Sequence, residues 1–150
     1  MKGFHVPFHF PLASVLRLRK SIERREEMSL KAALLELARV RRRIEELTDE
    51  MAKTCQDREE ALRNSTTANR LQSMQVEINA AIEAKQILFE TLQTLKLQRD
   101  TQMKVYKTAH SGRRVLTDLR TQYRDLYEQE ELRRQQKQVD DIFAARWLRS

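Results

Sequence analysis

The sequence predicts an all-α fold: two long helices forming an antiparallel coiled-coil hairpin, the second helix longer than the first. Three observations carry that prediction. Apolar residues at Leu30, Ala33, Leu37, Val40, Ile44, Leu47 and Met51 are separated by alternating steps of three and four. That spacing keeps a narrow stripe facing one partner helix. Turn-forming residues are nearly absent: of two glycines and two prolines, only Gly112 lies beyond Pro11. Sheets and mixed folds need many such residues for their turns. Finally, the one cluster that disfavours helix interiors is Asn64, Ser65, Thr66, Thr67 and Asn69, whose side chains compete for backbone hydrogen bonds.

The elements follow in order. Met1 to Phe10 is expected to be irregular or frayed. Pro11 suits the first helical position, where a missing N–H costs nothing. The first helix then runs over about 11–62. Its opening is apolar at Leu12, Val15, Leu16 and Leu18, but between Arg19 and Glu27 only Ile22 remains on the stripe. Pairs such as Glu27 with Lys31, four residues apart, support the helix by about 0.3–0.5 kcal/mol each. Cys55, one heptad step past Met51, is expected to act as a small apolar seam residue.

Residues 63–67 form the reversal, with Ser65, Thr66 or Thr67 capping the second helix. That helix is expected over 68–146. Its seam reads Leu71, Met74, Ile78, Ala81, Lys85, Leu88, Leu92 and Leu95, thins at Met103, Tyr106 and Ala109, and recovers at Leu116, Leu119, Tyr123 and Leu126. Gly112 weakens the helix by about 1 kcal/mol without ending it. Folding back at the reversal sets Leu37 against Leu95 and Leu47 near Ala84, and sets the poor seam of each helix against the poor seam of the other. The chain 1–150 is thus read as a single coiled-coil domain. The second helix overruns its partner, leaving an unpaired tail from about Arg124 with Leu126, Tyr127, Leu132, Val139, Ile142, Phe143, Trp147 and Leu148. Such a tail either frays or inserts into a binding partner.

Composition narrows the function. The chain is 34% charged and 6% aromatic, with a net charge of +7. The excess lies between Arg63 and Tyr127, where 11 basic residues meet 6 acidic ones. An acidic partner surface is one use for that stripe. Nucleic acid is a weaker one, because few aromatics interleave with the basic residues for base stacking. One cysteine forbids an internal disulfide, and no run approaches the roughly 18 apolar residues that span a bilayer. The opening MKGFHVPFHFPL is too short and too broken for a signal-peptide apolar region, so the chain reads as cytoplasmic. Two separated glycines cannot build a phosphate-cradling loop. His5 and His9 are four apart, but Pro7 between them argues against a helical metal pair. Two helices offer no concave pocket in which a catalytic pKa could be tuned. No enzyme activity, cofactor or metal is expected.

The two ends of the chain carry a resemblance. The opening FHFPLASVLRLRK, with Phe8, Phe10, Leu12, Val15, Leu16 and Arg19, resembles the start of the bacterial flagellar export protein FliJ family. The closing ELRRQQKQVDDIFAARW, with Lys137, Val139, Asp140 and Arg146, is similar to that family's end. The NSTTANR reversal and the overall length also fit. The resemblance implies a non-enzymatic component of the flagellar type III export apparatus, similar in fold to the stalk subunit of rotary ATPases. It further implies three partners: the hexameric export ATPase, whose ring it helps assemble, the export gate protein of the inner membrane, and export chaperones. The protein would then be cytoplasmic and peripheral to that membrane, without inserting into it. By analogy with the stalk, Leu16, Arg19, Arg133, Arg134, Lys137, Asp140 and Ile142 are candidates for binding the ATPase. Ile78, Ile82, Gln86 and Phe89 are candidates for the gate, although Ile82 and Phe89 lie beside the seam and plain packing accounts for them equally well. The competing readings are a stalk of a virulence-type secretion system, a generic coiled-coil scaffold and a basic nucleic-acid binder.

Overall fold

The computed structural model describes residues 6–149, and within them every regular element is helical. Helix α1 spans Ala13–Arg63 (51 residues) and α2 spans Ala68–Arg149 (82 residues). The two helices pack against each other and α2 is the longer, as the seam predicts. Gly112 lies inside α2 without interrupting it. The packed residues fall into two compact units: Glu26–Tyr106, which contains the reversal, and Met1–Arg25 with Lys107–Ser150.

In the first of these, the stripe from Leu30 to Leu47 becomes the core. Leu37, Val40 and Leu92 form a buried cluster, with Ile44, Leu88 and Leu95 packed against it. Leu30, Leu47, Ala61 and Ile78 are buried as well. A leucine so buried contributes about 1.5–3 kcal/mol. The outer surface carries its charge in pairs one turn apart, such as Glu27 with Lys31 at 3.4 Å and Arg43 with Glu46 at 3.3 Å. These exposed pairs add little.

Past Met51 the three-four alternation demands a step of three. Thr54, Arg58 and Ala61 therefore continue the seam, and Cys55 is exposed rather than a seam residue. Arg58 reaches across to donate to the Gln75 side chain. The poor seam is bridged by polar groups: Gln102 Nε2 donates to the Glu26 carboxylate at 2.7 Å and to the Glu26 carbonyl at 3.1 Å.

At the reversal, the Asn64 N–H still bonds to the Glu60 carbonyl (3.1 Å), and Ser65 then adopts a left-handed conformation with φ of 59°. That conformation ends a helix, and it costs a serine more than it would a glycine. Of the three capping candidates, Thr67 takes the position. Its Oγ1 accepts from the Arg70 N–H at 3.3 Å, satisfying a donor that the first turn of α2 leaves open.

The second unit starts irregularly, one of the two states expected of the opening, and one expectation is corrected there. Pro11 precedes α1 instead of opening it. The Phe10 carbonyl accepts from the Ala13 N–H at 3.1 Å, a turn in which Pro11 sits at the second position, where its fixed φ is favoured. The described part of the opening segment is irregular without being frayed, because Phe10 is 4% exposed. Leu16 and Ala109 are also buried in this unit. Leu126, expected on the seam, is 61% exposed, and Tyr127, expected on the unpaired tail, is turned inward in its place because the opening segment supplies it a partner in Phe8.

Candidate functional site

The unit formed by Met1–Arg25 and Lys107–Ser150 contains all seven residues expected to meet the ATPase. Its architecture starts with an aromatic clasp. Alternation along an extended segment aims Phe8 and Phe10 to the same side, and Tyr123 and Tyr127 stand one turn apart on α2. The Phe10 ring meets Tyr123 edge-on at 5.6 Å, and Phe8 meets Tyr127 at 5.6 Å. Arg120 lies over the Phe8 ring, 5.8 Å from its centre, and the Tyr127 hydroxyl donates to the Val6 carbonyl. Pairs of this kind are worth about 0.5–1.5 kcal/mol beyond the area they bury.

Above the clasp lies a polar layer. Arg113 Nε donates to the Glu23 carboxylate at 2.7 Å, with the two side chains 22% and 19% exposed. His110 Nδ1 stands 3.7 Å from the same carboxylate, and Arg113 also reaches Thr117 Oγ1 at 3.3 Å. The Arg19 side chain crosses α2 at Gly112, where a Cβ would sit 3.6–4.0 Å from it.

Beyond the clasp, every described residue from Leu132 to Arg149 is exposed. Ile142 (58%), Phe143 (71%), Trp147 (77%) and Leu148 (82%) present large apolar surfaces to water. Val139, Asp140, Phe143, Ala144 and Trp147 line a shallow depression of about 400 Å³ along one face. Local pairs hold the helix: Gln136 donates to Asp140 at 3.1 Å, and Arg134 lies 3.6 Å from Glu131.

The seven expected contacts therefore fall into two groups. Arg133, Arg134, Lys137, Asp140 and Ile142 are exposed on the tail. Leu16 is buried in the seam at 5%, and Arg19 is held beside Gly112. From Gly112 to Arg133 is roughly 30 Å of helix, so the structure does not bring the two groups together. Sequence reasoning missed the clasp and the polar layer. The signal for the clasp was Phe8 and Phe10 two apart, set against Tyr123 and Tyr127 four apart.

In the other unit, Ile78 is 7% exposed and belongs to the seam. Ile82 (50%) and Phe89 (47%) are half in solvent, and Gln86 is exposed beside them. A groove of about 380 Å³ follows the seam past Leu47, Met51, Ile78 and Ala81. Among the described residues no three His, Cys, Asp or Glu side chains converge as a metal site, and His5 lies outside those residues. No described helix is long and apolar enough to cross a membrane.

Comparison with known proteins decides the family. The profile described as Flagellar FliJ protein matches residues 8–150, from the clasp to the end of the tail. The chain belongs to the FliJ family. No curated protein and no solved structure gives a significant match. As a FliJ-family protein it is a component of the flagellar export apparatus, a role that is not catalytic in this family.

Proposed function

We propose that this FliJ-family chain is the central stalk of the flagellar type III export apparatus, and that its α2 tail enters the hexameric export ATPase and promotes assembly of the ring. The observation that carries this reading is the tail itself. Four large apolar side chains within seven residues, each more than half exposed, need a partner that can desolvate them. An amphipathic helix laid into an apolar channel meets that need. Arg133, Arg134 and Lys137 supply charge beside it, and Asp140 borders the apolar depression.

In the same reading, the unit that contains the reversal contacts the membrane export gate and hands over export chaperones. Ile82, Gln86 and Phe89 are the accessible part of that surface, and Ile78 acts only by holding the seam beneath them. The protein is then peripheral to the inner membrane through its partners. The FliJ match favours the flagellar system over a virulence-type one.

The test is the hydrolysis rate and ring assembly of the purified export ATPase of the same organism. The full chain should stimulate both. The full-length double variant Phe143→Ser, Trp147→Ser should not. Equal stimulation by both proteins would move the contact away from the tail, and no stimulation by either would remove the stalk reading.

A further inference from the structure

The chain's positive charge is gathered by the fold onto a single stretch. Ala13–Arg25 of α1 and Lys107–Arg124 of α2 belong to one unit and together carry ten basic residues and two acidic ones. The chain as a whole has 29 basic and 22 acidic residues, so the remainder is close to neutral. Of the two acids, Glu23 is already bound to Arg113.

The basic residues are also sorted by face. With the seam residues taken as heptad positions a and d, Arg17 and Arg24 fall at b and Lys20 at e on α1. On α2, Lys107 and Arg114 fall at b and Arg124 at e. Because the helices run in opposite directions, the e and b positions of both lie on the same side of the pair. All six are exposed, and within these stretches no carboxylate shares their side. Arg124, at the lower edge, lies 3.5 Å from Glu128, which marks where the cationic face ends. The opposite side is largely apolar, with Leu18 (59%) and Val115 (65%) exposed over the half-buried Ile22 and Leu119, and Arg25 at its upper end.

We infer that this cationic flank docks on an acidic protein surface, the carboxylate-lined rim of the opening that receives the tail. The inference rests on the stalk reading. Two features select a protein. The flank, about 25 Å from Lys107 to Arg124, lies on the same helix as the tail, and the apolar depression at Phe143 and Trp147 needs a shaped apolar partner. A partner that covers the tail and continues back along α2 past Glu128 meets the flank. The flank also has no aromatic side chain on which nucleic-acid bases could stack. Arg17, Lys20, Arg24, Lys107 and Arg114, with no acid beside them on that side within these stretches, steer encounter with a negative rim and orient the tail toward the opening. Such steering acts on the association rate and fades with salt.

The experiment measures association of the full chain with immobilised export ATPase of the same organism at low and high ionic strength. Wild type is compared with Arg17→Glu, Lys20→Glu, Lys107→Glu, Arg114→Glu combined, and with the same four positions changed to Gln in case reversal disturbs folding. Helicity is verified by circular dichroism. The reversed variant should associate at least about tenfold more slowly at low salt, with a flattened salt dependence and a nearly unchanged dissociation rate. The Gln variant should fall between the two. Wild-type binding at a rate that neither salt nor reversal changes would overturn the flank while leaving the stalk reading standing. No wild-type binding at all would remove both. Parallel arms use phosphatidylglycerol vesicles and single-stranded RNA. If reversal abolished binding to either while association with the ATPase was unaffected, the flank would belong to that ligand instead.

Discussion

Removing one partner of the Glu23–Arg113 pair should cost more than removing both. The two side chains are about four-fifths buried, their atoms meet at 2.7 Å, and the contact sits within the seam. Glu23→Ala leaves a largely desolvated guanidinium with a lost charge-assisted bond, a loss of about 2 kcal/mol. Arg113→Ala leaves the Glu23 carboxylate with His110 Nδ1 at 3.7 Å and removes the bond to Thr117 Oγ1, with a similar cost. The double variant Glu23→Leu, Arg113→Leu exchanges the pair for apolar packing and should be neutral, or more stable by about 1 kcal/mol. Urea unfolding followed by circular dichroism measures all three. The alanine double variant closes the cycle, with a coupling of about 1.5 kcal/mol expected. A loss below about 0.5 kcal/mol for Glu23→Ala would show the pair to be as weak as an exposed one and would refute the reasoning.

Other outcomes follow from single positions and can be read by the same unfolding experiment. Leu37 is 2% exposed at the centre of its cluster, so Leu37→Ala should cost about 3 kcal/mol. Leu35, two residues away and 69% exposed, should tolerate alanine within about 0.5 kcal/mol. Gly112→Ala should stabilise by about 1 kcal/mol, since the added Cβ meets Arg19 at an ordinary contact distance. A loss there would mean that Arg19 cannot accommodate it. Thr67→Ala removes the cap of α2 and should cost about 1 kcal/mol, whereas Thr66→Ala should cost little.

The periodic parts of this chain were legible, and the parts set by long-range contact were not. Strict three-four spacing from Leu30 to Leu47 left one face to bury, and those residues are the core. The reversal was legible because no other cluster competes with the helix, but selecting Thr67 over its neighbours required the backbone at Ser65. Cys55 was misplaced because one step of four was read where the alternation called for three. Phe8 and Phe10 looked like a loose end, since a short aperiodic segment does not announce partners more than a hundred residues away. Glu23 and Arg113 each look like surface charge until the fold opposes them. The same holds for the cationic flank, whose two halves are far apart in sequence and join only on folding. Among the site residues, exposure separates Ile142 and Phe89 from Leu16 and Ile78, and for Ile78 and Phe89 the seam position had already set the one on the stripe and the other beside it.

Trp147 is the only tryptophan in the chain, and it is 77% exposed near the end of the tail. It therefore reports directly on whether the tail enters the ATPase ring. The fluorescence difference between wild type and Trp147→Phe isolates its emission in the presence of the purified ATPase. Insertion into an apolar channel moves that emission to shorter wavelength and shields it from an aqueous quencher, and this is the expected result. Emission that stays solvent-like and fully quenchable while the two proteins are bound would contradict the central claim.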